Sequence, residues 1–446
     1  MESKKKGFSS QIGFILAAAG SAVGLGNLWR FPYLAAKYGG GIFLLVYLIL
    51  AVTFGFTLMT TEIAIGRKTG KSCICAFKEI KKRWSFVGWL AALVPIIIFP
   101  YYCVIGGWVT KYFTVFITGN GQPAASDTYF PTFAGKPVQP IIFLSIFMII
   151  TAIIIMCGVQ KGIEKVSKIL MPVLLIMTIT IGVYSLTLDG AKDGLIYYIK
   201  PNLKMFSIKT VVAAVGQLFY SMSLAMGIMI TYGSYMDKKN DLEKSVRQIE
   251  IFDTAIAFLA GVMIIPAVFA FSGGDTNALG QGPSLMFVTL PKVFDSMAGG
   301  QIIGGLFFLL VFFAALTSSV SLMETILSVV MEKTKLTRIK GSLIILVIAF
   351  IIAIPSSLGN GIWSNITIFG KQFLDFFDFI SNNILMPIVE LLTCIFIGYV
   401  VKPKIIEDEV EISGKFKSKK LYNFMIKVAA PICLVVILIS SVIGYV

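Results

Sequence analysis

Two short stretches carry the residues best suited to chemistry. One reads Gly20-Ser21-Ala22-Val23-Gly24-Leu25-Gly26-Asn27, the other Gly216-Gln217-Leu218-Phe219-Tyr220-Ser221-Met222-Ser223-Leu224-Ala225-Met226-Gly227. Each sets Gly and hydroxyl or amide residues inside a longer apolar run. Three Gly in seven positions weaken the first run as a helix, because glycine loses the most backbone freedom on ordering. Where a helix unwinds, freed carbonyls can coordinate a hard cation, and freed amides at the next half-helix can hold a carboxylate. Taken singly, either stretch is equally well explained as small residues that let helices pack closely. Other chemistries lack their residues. The chain has no His, the commonest metal ligand and general base. Its six Cys show no metal-type pairing beyond a Cys73-x-Cys75. No HExxH or other convergent catalytic set is present, so we do not expect an enzyme.

The elements that must position these residues are membrane helices. Apolar residues make up 57% of the 446, charged residues 14%, and the mean hydropathy is +0.87. Soluble domains carry roughly 45–50% apolar and about 25% charged residues. Apolar runs of about 20 residues recur along the chain. We place eleven spans at 9–36, 40–66, 86–117, 139–158, 166–187, 207–236, 247–271, 302–331, 341–356, 372–400 and 425–446. The basic start MESKKKGFSSQIGF runs on into apolar sequence and then WRFPYLAAKYGGG, which reads as a retained first helix, not a cleaved signal.

A net charge of +15 invites a nucleic-acid partner, but its distribution argues for a bilayer. Segments 1–8, 67–83, 159–168, 236–247, 332–340 and 402–420 hold 27 of the 38 basic residues, and the intervening loops hold 7. That alternation is the positive-inside asymmetry. It puts the N-terminus in the cytoplasm and the C-terminus outside, and it checks the helix count. The mixed-charge stretch 407–420 reads as a solvated connector, and Glu390 has no role we can assign.

The two Gly-rich stretches fall in the first and sixth spans. Five spans apart, the second starts from the opposite side of the membrane. This is the layout of an inverted repeat, with spans 1–5 (9–187) and 6–10 (207–400) as its halves and 425–446 as an added helix of a single transporter domain. Matching breaks in the two halves point to a binding site at the membrane midplane. Unwound backbone is tolerated at that depth only when buried or lining a cavity.

At these residues the sequence resembles a known family. The segment GSAVGLGNLWRFPYLAAKYGGGIF is similar to the first helix of the neurotransmitter:sodium symporter family, VGQLFYSMSLAMGIMITYGSY to its sixth and FFAALTSS to its eighth. The resemblance is closest to bacterial members and runs through the tenth span. It implies an all-α integral membrane protein of the bacterial inner membrane that couples sodium entry to solute uptake by alternating access. One sodium site would use the Ala22 carbonyl with Asn27, Ser221 and Asp253. The other would use Gly20, Val23 and Ala314 carbonyls with Thr317 and Ser318. The substrate would lie against Ser21, Ala22, Leu25 and Gly26, with Ile98, Tyr102, Tyr220, Ser223, Met226, Ser318 and Leu322 as the other walls. Tyr102 would hydrogen-bond a substrate carboxylate. Thr317, Ser318 and Ser319 also fit a plainer reading, bonding helix carbonyls one turn back.

Two positions bear on the substrate and on coupling. Monoamine carriers of the family have Asp where Gly24 stands, which favours a substrate that brings its own carboxylate, an amino acid. The polarizable Met226 suits a bulky aliphatic or aromatic side chain. Chloride-site positions of animal members correspond to Tyr47, Gln217, Ser221, Asp253 and Ala257. An Asp carboxylate there would repel chloride in a low dielectric, so transport without chloride is expected. Glu62 resembles the residue that caps the sixth-helix break. Arg30 would gate the outside with Asp378, or with Asp375, over a lid of Tyr102 and Tyr220. Lys5, Tyr235 and Glu332 would close the cytoplasmic side, with Lys5, Phe8 and Glu332 where the family usually has Arg, Trp and Asp. The other class considered is a non-transporting sensor or channel. A channel needs a continuous polar stripe, whereas polar residues here concentrate at two breaks.

Overall fold

The computed structural model describes residues 7–275 and 283–443. It is almost wholly helical, with two isolated bridges and no strand among the described residues. Among the described residues, nine unbroken helices are long and apolar enough to cross a membrane. They are helix 2 (Gly41–Thr69), helix 3 (Lys82–Ile117), helix 4 (Gln139–Met156), helix 5 (Val159–Leu186) and helix 7 (Leu242–Ser272), then helix 8 (Gly300–Thr334), helix 9 (Arg338–Leu358), helix 10 (Phe373–Val400) and helix 11 (Lys419–Ser441). Two further crossings are broken. Helix 1 is Gln11–Ala22 followed by Gly26–Lys37, bent by 52°. Helix 6 is Ile208–Ser221 followed by Ile228–Gly233. By length and apolarity this gives nine candidate crossings among the described residues, or ten with bent helix 1; the two short pieces of helix 6 stand where the sixth of the eleven expected spans falls.

Local signals set the boundaries. Ser10 caps helix 1 by accepting from the Gly13 amide at 3.1 Å, and Asp241 caps helix 7 through the Lys244 amide at 2.9 Å. Ser207 caps helix 6 through Thr210. Gly70 and Gly273 close helices 2 and 7 in the left-handed conformation that glycine takes without strain. Gly66 has a different reason. A Cβ there would stand 1.9 Å from the Ile230 carbonyl oxygen. Helix 2 and the second half of helix 6 therefore meet backbone to backbone, which fixes the lower half-helix of the break.

The loops are more structured than their polarity suggests. Short helices Gly121–Ala124, Tyr129–Ala134, Ala191–Ile199 and Leu290–Asp295 fold back over the bundle. The stretch 407–420 requires a correction, because it is not a solvated connector. Lys404–Glu411 is a helix lying against helix 2, with Ile406 and Val410 buried. Its Glu409 forms a fully buried ion pair with Arg67 of helix 2 at 2.8 Å. The Glu243 carboxylate of helix 7 accepts from the Lys417 and Ser418 amides at 2.7 and 3.0 Å. The charges that made the segment look solvated are the ones that dock it.

Removing one partner of a buried pair leaves an uncompensated charge and costs about 3–5 kcal/mol, whereas replacing both by apolar residues is often neutral. Glu409→Ala should therefore lower the thermal midpoint of the detergent-purified protein. The double variant Arg67→Met/Glu409→Leu should recover most of that loss.

Candidate functional site

The two breaks face each other at the centre of the bundle. In helix 1 the chain leaves the helix at Val23, which is extended, and re-enters it at Gly26. In helix 6 the residues Met222–Gly227 are non-helical, and Ser223, Ala225 and Gly227 all take positive φ. For Ser and Ala that backbone is strained by about 1–3 kcal/mol each, so something must hold it. Glu62 of helix 2 does so: its Oε1 accepts from the Ala225 amide at 2.6 Å. Ser21 and Ser223 tie the breaks together, Ser21 Oγ donating to Ser223 Oγ at 3.1 Å and Ser223 Oγ to the Ser21 carbonyl at 3.0 Å.

Between the breaks lies a tight cavity of about 20 Å³. All eleven residues expected around the substrate line it, joined by Gly24 and Ile228. The Tyr102 hydroxyl is buried beside the Ser318 hydroxyl and the Leu25 backbone, with no hydrogen bond of full geometry among the described residues. Gly24 admits this geometry, since a Cβ there would sit 2.5 Å from Ser318 Oγ and 3.1 Å from the Tyr102 hydroxyl. An acidic side chain at Gly24 has no room beside them.

Asp253 of helix 7 is the polar centre on one side of the cavity. Its Oδ1 accepts from Asn27 Nδ2 at 2.7 Å and from Ser221 Oγ at 2.8 Å. Its Oδ2 accepts from Tyr47 at 3.3 Å. Asn27 Oδ1 in turn accepts from the Gly24 amide at 3.2 Å. Gln217 donates to the Gly26 carbonyl at 2.9 Å, and Ala257 lies buried one turn beyond Asp253. Helices 1, 6 and 7 are thus joined by one oxygen-rich cluster.

Helix 8 makes the second junction. Ser318 Oγ donates across to the Ser21 carbonyl at 3.0 Å and approaches the Val23 carbonyl at 3.5 Å. Thr317 instead bonds the Phe313 and Ala314 carbonyls of its own helix, both at 3.1 Å, and Ser319 bonds that of Leu316. Of the three hydroxyls, only Ser318 departs from simple back-bonding toward helix 1. Thr317 still packs close to Gly20, within 3.4 Å of where a Cβ would stand.

The sequence matches the sodium:neurotransmitter symporter family over residues 5–126 and 135–446. The chain belongs to that family. It is a sodium-coupled, multi-pass membrane transporter and not an enzyme. It is 32% identical over 448 residues to the uncharacterized sodium-dependent transporter YhdH of Bacillus subtilis, covering 99% of this chain and 98% of that protein. An uncharacterized sodium-dependent transporter of Haemophilus influenzae is 34% identical, covering 98% of both. The solved structure of MhsT in complex with L-phenylalanine superposes with a TM-score of 0.89 at 37% identity, over 98% of this chain and all of that one.

On the side of the cavity where outer-gate residues were expected, Arg30 lies over the Tyr220 ring, 5.3 Å from its centroid, and reaches the Gly216 carbonyl at 3.5 Å. Asp378 is half-buried and accepts from Tyr101 at 3.3 Å and Asn382 at 2.6 Å. Asp375 is exposed. Arg30 and Asp378 form no direct ion pair here; Tyr101 and Asn382, which sequence reasoning missed, occupy the carboxylate.

The side expected to face the cytoplasm is built differently from expectation. Lys5 lies outside the described residues. Glu332 points away from Tyr235: it accepts from the Ser72 amide at 2.8 Å and lies 3.9 Å from Lys71. The residues that meet Tyr235 are others. Its hydroxyl donates to Glu324 Oε1 at 2.9 Å, and Arg338 grips Glu324 with two bonds of 2.7 Å. The Phe8 amide donates to the Tyr235 carbonyl at 3.1 Å, and the Phe8 ring sits edge-on to Phe14, Tyr232 and Tyr235. Glu324 is an acid in the middle of an apolar helix, which by itself marks it for attention. Glu390, unassigned from sequence, meets the Glu62 carboxyl from helix 10.

Arg338→Met strands the buried Glu324, at a cost of about 3–5 kcal/mol. Amide hydrogen exchange across Phe8–Ala22 should then rise by roughly tenfold or more, with helix 11 unchanged. Unchanged exchange in Phe8–Ala22 would remove Glu324 and Arg338 from the closure.

Proposed function

We propose that the symporter imports an amino acid with an aliphatic or aromatic side chain, together with two sodium ions and without chloride, by alternating access. The observation that carries this reading is the Tyr102 hydroxyl, a buried donor at the break of helix 1 that lies beside Ser318 and the Leu25 backbone without a hydrogen bond of full geometry. A buried unpaired donor costs about 1–3 kcal/mol, and a substrate carboxylate would relieve that cost. Gly24 leaves no acid for a bare amine, so the carboxylate must come with the solute. The apolar walls Ile98, Met226 and Leu322 suit a bulky side chain. L-phenylalanine in the MhsT complex is in keeping with such a solute.

One sodium ion would take the Ala22 carbonyl, Asn27, Ser221 and Asp253. The other would take the Gly20, Val23 and Ala314 carbonyls with Thr317 and Ser318, after Thr317 turns from its own helix. Hard cations favour such all-oxygen sets. The Asp253 carboxyl already accepts from Ser221, Tyr47 and Asn27, donors that would favour its ionised form. A chloride beside it would be repelled, which supports chloride-free transport.

With the N-terminus cytoplasmic, inward movement of two positive charges per zwitterion contributes about 4.6 kcal/mol at ~100 mV, from about 2.3 kcal/mol per charge. That alone supports roughly a thousand-fold accumulation. Tyr220 and Arg30 would cover the loaded site from outside, and release would follow separation of Phe8, Tyr235, Glu324 and Arg338.

Purified protein tested with a panel of labelled amino acids should bind one or a few in Na⁺ and none in K⁺. Replacing chloride by gluconate should leave that binding intact. Sodium-dependent binding of no amino acid would end this reading, and loss in gluconate would end its chloride-free form. Tyr102→Phe should weaken binding by roughly 10- to 100-fold, the value of a hydrogen bond to a charged group, with the thermal midpoint preserved.

A further inference from the structure

A second cavity lies at the rim near Glu332, remote from the transport site. It has a volume of about 300 Å³ and is lined by Lys71, Cys75, Lys78, Glu79, Lys82 and Glu332. The short helix Cys73–Ile80 forms one wall. It buries Cys73, Ile74, Ala76 and Phe77 against the bundle and turns Cys75, Lys78 and Glu79 outward. Glu332 of helix 8 forms another wall, and its charge is already engaged by the Ser72 amide and Lys71. Lys78 and Lys82 pair with no carboxylate among the described residues. Glu79 on the same wall forms no ion pair among the described residues either, so the cavity holds three lysines against two carboxylates, a net charge of +1.

Below it runs an apolar stripe. Lys82 opens helix 3, and Phe86, Trp89, Leu93 and Ile96 follow at alternating intervals of four and three, which is one helix face. All four are exposed, Phe86 by 45% and Trp89 by 56%. From Lys82 to Leu93 the rise is roughly 16 Å at about 1.5 Å per residue, which matches one leaflet of a core about 30 Å thick. Lys333 of helix 8 stands over the Trp89 ring at 5.3 Å, adding a cation at the upper end of the stripe.

We propose that this cavity and stripe bind an anionic phospholipid, its phosphate between Lys78 and Lys82 and an acyl chain along Phe86, Trp89 and Leu93. A soluble phosphate would satisfy the lysines but leave the stripe unused, whereas a lipid uses both. Basic residues at the membrane surface each contribute about 1 kcal/mol toward anionic lipid. The proposal rests on the chain lying in a bilayer and not on which solute it carries.

Cys75, inside the cavity, reports occupancy, and Cys157, exposed at the turn between helices 4 and 5, serves as an internal reference for surface potential. The full chain is placed in nanodiscs of phosphatidylcholine, with or without phosphatidylglycerol, and alkylated with a neutral maleimide. The Cys75-to-Cys157 rate ratio should fall severalfold with phosphatidylglycerol and stay unchanged when inorganic phosphate is added to phosphatidylcholine discs. Lys78→Gln/Lys82→Gln should abolish the protection, since losing two such lysines weakens binding by roughly 30-fold at about 1 kcal/mol each. A ratio insensitive to phosphatidylglycerol overturns the proposal, and so does equal protection by inorganic phosphate. Sodium-dependent amino acid binding on the same discs reports the transport reading separately.

Discussion

Free backbone groups at membrane depth are the constraint from which this structure follows. Two helices stop and restart in the middle of the bundle, leaving amides and carbonyls that no water can satisfy. Every neighbouring element supplies a partner. Helix 2 brings Glu62 to the Ala225 amide, helix 8 brings Ser318 to the Ser21 carbonyl, and the serines of the breaks bond one another. What remains unpaired around the cavity is what a solute and its ions would complete. The strain of positive φ at Ser223 and Ala225 is tolerable only because the surrounding helices hold those residues.

The same logic makes coupling physical. Asp253 gathers donors from helices 1, 2 and 6, so a cation entering that cluster rearranges contacts among all of them. Ser318 links helix 8 to the break of helix 1 beside the same cavity. On the proposed reading, sodium and solute would meet the same backbone atoms and would need no long pathway between separate sites. The two ends are closed by unlike means. At one end an arginine lies over the Tyr220 ring; at the other a tyrosine, an arginine and a buried glutamate are fully engaged.

At the rim, charge does structural work that its composition disguises. Arg67 and Glu409 bury completely, and Glu243 caps the amides that follow the 404–411 helix, so a segment rich in Lys and Glu becomes part of the wall. Nearby, Lys78 and Lys82 lack such partners and face a cavity. The contrast shows that basic residues at a membrane surface divide into those that hold the fold and those left to meet other molecules.

Much of this was legible in the residues alone. Hydropathy and the alternation of basic loops determine the eleven crossings, because a hydrocarbon layer demands about 20 apolar residues per helix and orients them by charge. The Gly- and Ser-rich interruptions locate both breaks, since no other composition unwinds a helix so readily at that depth. The first- and sixth-helix motifs and Ser318 of the eighth contain eight of the eleven expected cavity residues; Ile98, Tyr102 and Leu322 lie outside those motifs and came from the wider resemblance. Tertiary structure decided the rest. Which carboxylate sits near Arg30, that Glu324 and Arg338 take the place expected of Glu332, that Glu390 meets Glu62, and that 404–411 docks on helix 2 are all pairings between helices distant in sequence. A hydropathy pattern fixes how deep a residue lies but not the direction it faces, and a charge finds its partner only once the helices are packed.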